Sequence, residues 1–467
     1  FFIRTYCGKK ELRVMKQHAD EKPKKSEMIH SAKTPTNVMT RRRKVVVALL
    51  IIFWTTLIVI FQYATIERGS HRLPLILSVT FIYLIYKLGL SLLYQPQIVA
   101  HETLVKSKLT VSVVMPSFNE NANSVMRAIE SLVIQTYPIK EIIFVDDGSN
   151  MMGAYEAVCH YMKKHKGQIN GIHLIAHRFD ENRGKRQAQA WGFKRATGDL
   201  IQLVDSDGTL LPDATEELVK VFVGQNGKKV GAVVGYVGVR NTKKNMITTM
   251  QDMSYCAAFS VGRAAQSLTH SVVVCSGALS MHRRAVILAH LDEFLNERVL
   301  KIKVKNGDDR RLTVISRKNG WQTKYQSTAI CHTEVPDTVR KLIKQRIRWS
   351  RSSYLCSIQN IFIKPWKYPL YVIYSFLEAY LWLITLVLWF IFSRDVDLTL
   401  EFLIDALIFY ILVCYANKVY YVFRSPVEYL FSPIYSVLYG GLLILIRLSA
   451  ILALFKYGWG TRRINNG

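Results

Sequence analysis

The chain has 467 residues, half of them hydrophobic, with 62 Lys+Arg against 34 Asp+Glu and a formal net charge of +28. That length leaves room for two or three units, and the basic surplus calls for an anionic partner: nucleic acid, anionic lipid or a phosphorylated substrate. The seven cysteines (Cys7, Cys159, Cys256, Cys275, Cys331, Cys356 and Cys414) form no CxxC pair, which excludes a disulfide framework and argues for reduced thiols.

Residues 1–44 are polar and basic, end in Arg41-Arg42-Arg43-Lys44 and carry no cleavable signal peptide. They read as a disordered cytoplasmic tail that also sets topology. Two apolar runs follow, residues 45–64 and 73–94, separated by a short linker. Twenty residues at about 1.5 Å each cross a hydrocarbon core of roughly 30 Å, so residues 45–94 read as a transmembrane hairpin. The basic cluster before it places the N-terminus inside and returns the chain to the cytoplasm near residue 95.

Residues 95–340 lose the long apolar runs. A short buried strand at 111–115 precedes a helix near 124–135. A second strand at 141–145 ends at Asp146-Asp147-Gly148-Ser149, and a third at 200–204 ends at Asp205-Ser206-Asp207. That rhythm predicts a doubly wound α/β sheet, in which ligands sit beyond the carboxyl ends of the strands.

A basic amphipathic stretch, 341–367, leads back to the membrane. Residues 370–392 and 400–422 read as further spans within a C-terminal transmembrane channel region, 368–456. Charge asymmetry in the flanking loops puts the loop between them outside. Residues 427–455 are apolar but contain Pro433, Gly440, Gly441 and Arg447. A re-entrant pair of half-helices, or two short spans, is expected there over a single tilted helix. Residues 457–467 form a cytoplasmic tail.

Asp205 and Asp207 place two carboxylates at one strand end, a donor set for a hard divalent cation that keeps waters and substrate phosphates; a solvated loop with Asp213 as a helix cap is the plainer alternative. Asp146 and Asp147 can accept from a nucleobase imide or a ribose hydroxyl, or simply build a turn. Arg183, Gly184 and Lys185 precede a helix, as a diphosphate site would, or a solvated charged face. Asp308 and Asp309 stand beside Arg310 and Arg311, either as a base for an acceptor hydroxyl or as an ion-pair network. Gln345, Arg348 and Trp349 share a helical side at the membrane entrance. There an arginine can neutralise a leaving pyrophosphate and a tryptophan can face a sugar; an interfacial anchor is the alternative.

The order of these motifs resembles the processive family 2 glycosyltransferases, which include cellulose, chitin and hyaluronan synthases. The chain shows Asp146-Asp147, Asp205-Ser206-Asp207, Gly307-Asp308-Asp309 and Gln345-x-x-Arg348-Trp349 between two membrane regions. Segments around Gly238, Gly262, Cys275, Gly307, Tyr325 and Trp459 resemble the hyaluronan synthases in particular, over roughly residues 45–463. Gly262-Arg263 departs from an expected Val-Glu-Arg, and Ala278 from an expected proline.

The resemblance implies a glycosyltransferase A-type domain with a doubly wound mixed sheet, inserted between α-helical transmembrane segments. It implies an inverting enzyme that polymerises hyaluronan from UDP-GlcNAc and UDP-glucuronate and extrudes it. Asp309 would be the base, and Asp207, with Asp205 nearby, would hold Mg²⁺ or Mn²⁺. Asp146, Asp147, Arg183, Lys185, Asp205 and Arg348 would bind UDP, with Trp459 and Arg462 as a gating loop over it. Gln345, Trp349, Cys275 and Ser276 would bind the acceptor. A charged polymer needs an enclosed polar path, and the ionisable Glu378 and Arg447 inside the C-terminal spans are candidates to line it, with snorkelling the alternative for Arg447. Partners would be the nascent polymer and membrane lipids, with no nucleic acid and no obligate protein partner. The location would be the plasma membrane, with the catalytic domain cytoplasmic. A chitin-type synthase using UDP-GlcNAc alone, or a membrane protein that binds nucleotide-sugar without transferring it, are the competing readings.

Overall fold

A computed structural model describes residues 40–68, 72–299, 302–304, 306–362, 366–392 and 400–454. Most of the expected basic tail, the 393–399 loop, Trp459 and Arg462 lie outside the described residues.

The strands are β1 (Val111–Ser117), β2 (Ile139–Asp146), β3 (Gln168–Ile169), β4 (Ile172–Arg178), β5 (Leu200–Leu203), β6 (Thr209–Leu210), β7 (Val230–Val239), β8 (Ser280–Arg283), β9 (Arg298–Val299), β10 (Ile302–Lys303) and β11 (Gln322–Thr333). Nine of them form one sheet in the order β3-β4-β2-β1-β5-β8-β7-β11-β6, and β9 and β10 form a separate ribbon. The β4-β2-β1-β5 block is parallel, whereas β8 runs antiparallel to both its neighbours. The sheet is therefore mixed, as the sequence predicts.

Alternation along β1 sends Val113 and Met115 to one face and Val114 to the other. On the first face they pack with Val125, Ile129, Val158 and Leu218 of three helices. On the second, Val114 meets Ala188, Phe193, Phe294 and Leu312. Helices on both faces leave the strand ends as the open edge. Because β2, β1 and β5 are parallel neighbours, the segments that leave them emerge together there.

Among the described residues four helices are long and apolar enough to cross a bilayer: Arg41–Glu67, Pro369–Ile391, Leu400–Asn417 and Ser432–Leu452. A shorter apolar stretch, Val79–Leu93, belongs to the Arg72–Leu93 helix. The first helix begins at Arg41, inside the basic cluster assigned to the tail, where Thr40 accepts from Arg43 N at 3.3 Å. Arg and Lys are good helix formers, so the cluster joins the helix it precedes.

The span expected to reach residue 422 stops at Asn417 and turns into a 3-10 segment, Val419–Phe423. There Tyr421 and Arg424 reach the buried Asp252 of the sheet domain, at 2.9 and 2.8 Å. Residues 432–452 are one helix rather than two half-helices. Pro433 sits in its first turn, where a missing N–H costs nothing. Gly440 faces Tyr410, whose hydroxyl would lie 3.3 Å from an added Cβ, so this glycine serves close helix approach rather than a break. The basic stretch before the third span is a single helix, Val339–Ile361, packed against Pro369–Phe392 and Ser432–Leu452.

Candidate functional site

The turn after β2 is built around two buried aspartates. Asp146 points inward: its carboxylate accepts from Ser149 N at 3.0 Å and pairs with Arg178 at 3.3 Å. Asp147 faces the next loop, where its carboxylate accepts from Arg183 N at 2.9 Å, Gly184 N at 3.0 Å and Asn182 Nδ2 at 3.0 Å. Burial pushes the Asp147 carboxyl up to about 6, against the pull of the Arg183 and Gly184 N–H groups. Gly148 joins the two loops. Its φ is +66° and an added Cβ would lie 2.3 Å from the Glu181 carbonyl carbon. The Arg183 side chain is exposed and lies over the Phe179 ring at 4.9 Å.

Lys185 opens the helix that follows, Lys185–Arg195, and its ammonium lies 2.7 Å from Asp205 and 3.5 Å from Asp308. Burial alone would lower it, but the two carboxylates outweigh burial and hold it well above the ordinary lysine range. One turn on, Gln189 donates to Asp308 Oδ2 at 2.7 Å. Asp205 is about a third exposed, and Asp207 is half-buried two residues away. Among the described residues no three His, Cys, Asp or Glu side chains cluster as a metal cage. Two hard carboxylates at an open strand end still fit a Mg²⁺-like ion, which takes one or two carboxylates and completes its shell with water and phosphate.

Asp308 and Asp309 begin the Asp308–Lys318 helix, entered through Gly307 at φ +72°. Burial would push Asp308 up, but the Lys185 charge and the Gln189 hydrogen bond outweigh it and hold Asp308 below the usual carboxylate range. Asp309 is raised, first by burial and then by the Asp308 charge. The helix is fixed from outside the site by Arg311, paired with Glu293 at 3.0 Å. Arg186 ties the Lys185 helix to the same neighbourhood, donating to Glu297 and to Asn306 O at 2.7 Å.

The Cys275–Gly277 segment closes the group. Cys275 N donates to Thr313 Oγ1 at 2.9 Å, and Thr313 in turn donates to Asp309 O at 2.8 Å. A Cβ on Gly277 would stand 3.4 Å from Lys185 Nζ, 3.6 Å from Asp205 Oδ1 and 3.8 Å from Asp308 Oδ2. Burial pushes the Cys275 thiol up to about 12, so it is a neutral packing group rather than a nucleophile. Ser276 beside it is half-buried.

On the Val339–Ile361 helix, Trp349 is 37% exposed and its ring lies 6.4 Å from that of Tyr255. Arg348 is half-buried beside it, and the Gln345 Oε1 atom is buried without a partner among the described residues. Glu378 pairs with Arg263 at 3.2 Å and accepts from Gln266, joining the Pro369–Phe392 helix to the sheet domain. Two site residues escape the motif reading, Gln189 and Tyr255. Gln189 has a signal, its four-residue spacing from Lys185 on one helix face. Tyr255 has none, because it enters through tertiary packing.

Residues 112–290 match the family model described as Glycosyl transferase family 2. The hyaluronan synthase of Streptococcus pyogenes serotype M1 is 37% identical over 388 residues, which cover 82% of this chain and 88% of that one. An N-acetylglucosaminyltransferase of Azorhizobium caulinodans is 35% identical over 246 residues, 52% of this chain and 59% of its own. Among solved structures, a mannosyltransferase of Pyrobaculum calidifontis, in complex with GDP-Man and Mn²⁺, shares the fold with a TM-score of 0.50 and 18% identity. The match covers 85% of this chain and 99% of that one.

Proposed function

We propose the substrates and the working residues from one premise: this chain belongs to the hyaluronan synthase family of processive family 2 glycosyltransferases. It is a membrane enzyme that binds nucleotide-sugar and polymerises hyaluronan. The donors are UDP-GlcNAc and UDP-glucuronate, used alternately, and the product leaves through the C-terminal helices with lipid around them. Residues 95–340 face the cytoplasm, and the membrane is the plasma membrane.

The observation that carries the assignment of residues is the convergence of Lys185, Asp205, Asp308 and the Cys275–Gly277 segment within a few ångströms. Asp309 accepts the proton of the acceptor hydroxyl as its oxygen attacks the anomeric carbon and UDP leaves from the opposite side. One displacement inverts the centre and needs no covalent intermediate. A divalent cation, Mg²⁺ or Mn²⁺, held by Asp207 with Asp205 beside it, would supply charge stabilisation for the leaving diphosphate. Lys185, Arg183 and Arg348 add fixed positive charge there. Asp147 reads uracil or ribose while Asp146 holds the turn beneath it. Trp459 and Arg462 cover bound UDP. Trp349 carries the acceptor sugar, with Gln345, Cys275 and Ser276 around it.

Replacing Asp309 by Asn tests the base. Turnover should fall about a hundred- to ten-thousand-fold while UDP affinity stays near the parent value. Normal turnover in a folded variant would remove Asp309 from this role.

A further inference from the structure

The Val339–Ile361 helix carries an arginine that the motif and the reaction do not use. Arg346 lies among three rings: its guanidinium carbon is 4.5 Å from the Trp349 centroid, 5.6 Å from Tyr439 and 5.9 Å from Tyr255. Its Nε and Nη2 atoms are buried and have no hydrogen-bond partner among the described residues. It forms no ion pair with any described residue, whereas Arg186, Arg311 and Arg424 are paired with Glu297, Glu293 and Asp252. The Tyr439 hydroxyl, on the opposing Ser432–Leu452 helix, is also buried and unpartnered. About two turns further along that helix stands Arg447, with its guanidinium 5.9 Å from the Trp382 ring and likewise no carboxylate partner among the described residues.

Rings compensate a desolvated cation only in part, so a buried guanidinium with free N–H groups selects for an anion. Nε and Nη2 form the side-on fork of arginine, whose two parallel donors match the two oxygens of a carboxylate. The nearest ring, Trp349, is the one assigned to the acceptor sugar. We infer that Arg346, in its cage of Trp349, Tyr439 and Tyr255, is a carboxylate-reading subsite that binds the uronic acid units of the growing chain next to the acceptor end. The inference rests on the hyaluronan reading and deepens it, since a chitin chain has no carboxylate to offer.

The test uses the full chain in lipid nanodiscs and two probes: a hyaluronan octasaccharide, and the same octasaccharide with its carboxyl groups reduced to alcohols. The parent protein should bind the acidic form at least about tenfold more tightly, and Arg346→Gln should bind both forms about equally. Arg346→Lys, which keeps the charge but loses the fork, should retain only part of the preference. UDP-induced thermal stabilisation, read on each variant, establishes that the donor site is folded. If Arg346→Gln fails that check, the loss of preference in Arg346→Lys carries the test.

A full tenfold preference in a folded Arg346→Gln or Arg346→Lys protein overturns the inference. So does a parent protein that makes polymer only from both donors yet binds the two octasaccharides equally, and in that case the hyaluronan reading stands. Polymer from UDP-GlcNAc alone overturns the hyaluronan reading, and the inference with it.

Discussion

Asp308 and Asp309 are neighbours in the chain with opposite electrostatics. Lys185 and Gln189 serve Asp308 and keep it charged, and that charge, with burial, raises Asp309. A base must be ionised to act, so the rate should fall as pH drops through the raised Asp309 value. Asp308→Asn removes the neighbouring charge, so the acid limb of the kcat profile should move to lower pH. An unmoved limb would show that Asp308 does not tune the base. Asp147 gives a second test at this scale. Its carboxylate is ionised above about 6, and only the ionised form accepts at both oxygens, from Arg183 N at Oδ1 and from Asn182 Nδ2 and Gly184 N at Oδ2. UDP affinity of the parent should therefore weaken below pH 6 relative to Asp147→Asn, a difference that removes the titration of UDP itself. The sequence shows these carboxylates because strand ends followed by paired aspartates stand out. It does not separate Asp308 from Asp309, because that depends on which one Lys185 and Gln189 reach from the neighbouring helix on the same face of the sheet.

At the scale of elements, the turn after β2 is held closely against the Arg183 loop. Gly148 takes a left-handed φ while the Glu181 backbone closes over the place of a Cβ. Gly148→Ala should cost about 1–3 kcal/mol in strain alone and weaken UDP binding, both measurable by thermal melts with and without UDP. Alternation and turn residues make β1, β2 and β5 readable along the chain. The C-terminal helix is a harder case: Pro433 and Gly440 have the composition of a break. Their meaning depends on position in a first turn and on the nearness of Tyr410, neither of which is a local property.

At the scale of the whole molecule, ion pairs join the catalytic domain to the membrane helices, and two of them draw in a further side chain. Asp252 meets Arg424 and Tyr421, and Glu378 meets Arg263 and Gln266. Removing one partner of a buried pair leaves an uncompensated charge. Asp252→Ala should therefore cost about 3–5 kcal/mol, read as a lowered Tm in detergent, whereas the exposed Lys244–Asp337 pair should matter little when Lys244 is replaced. Neither tie is legible in sequence, since its partners are more than a hundred residues apart.

The proposed synthesis requires alternating transfer of two sugars by one site. The direct measurement supplies labelled UDP-GlcNAc and UDP-glucuronate singly and together to the purified protein with Mg²⁺ or Mn²⁺. Hyaluronidase-sensitive polymer should appear only with both donors. Polymer from UDP-GlcNAc alone, or no polymer from a preparation that still binds UDP, would contradict the account.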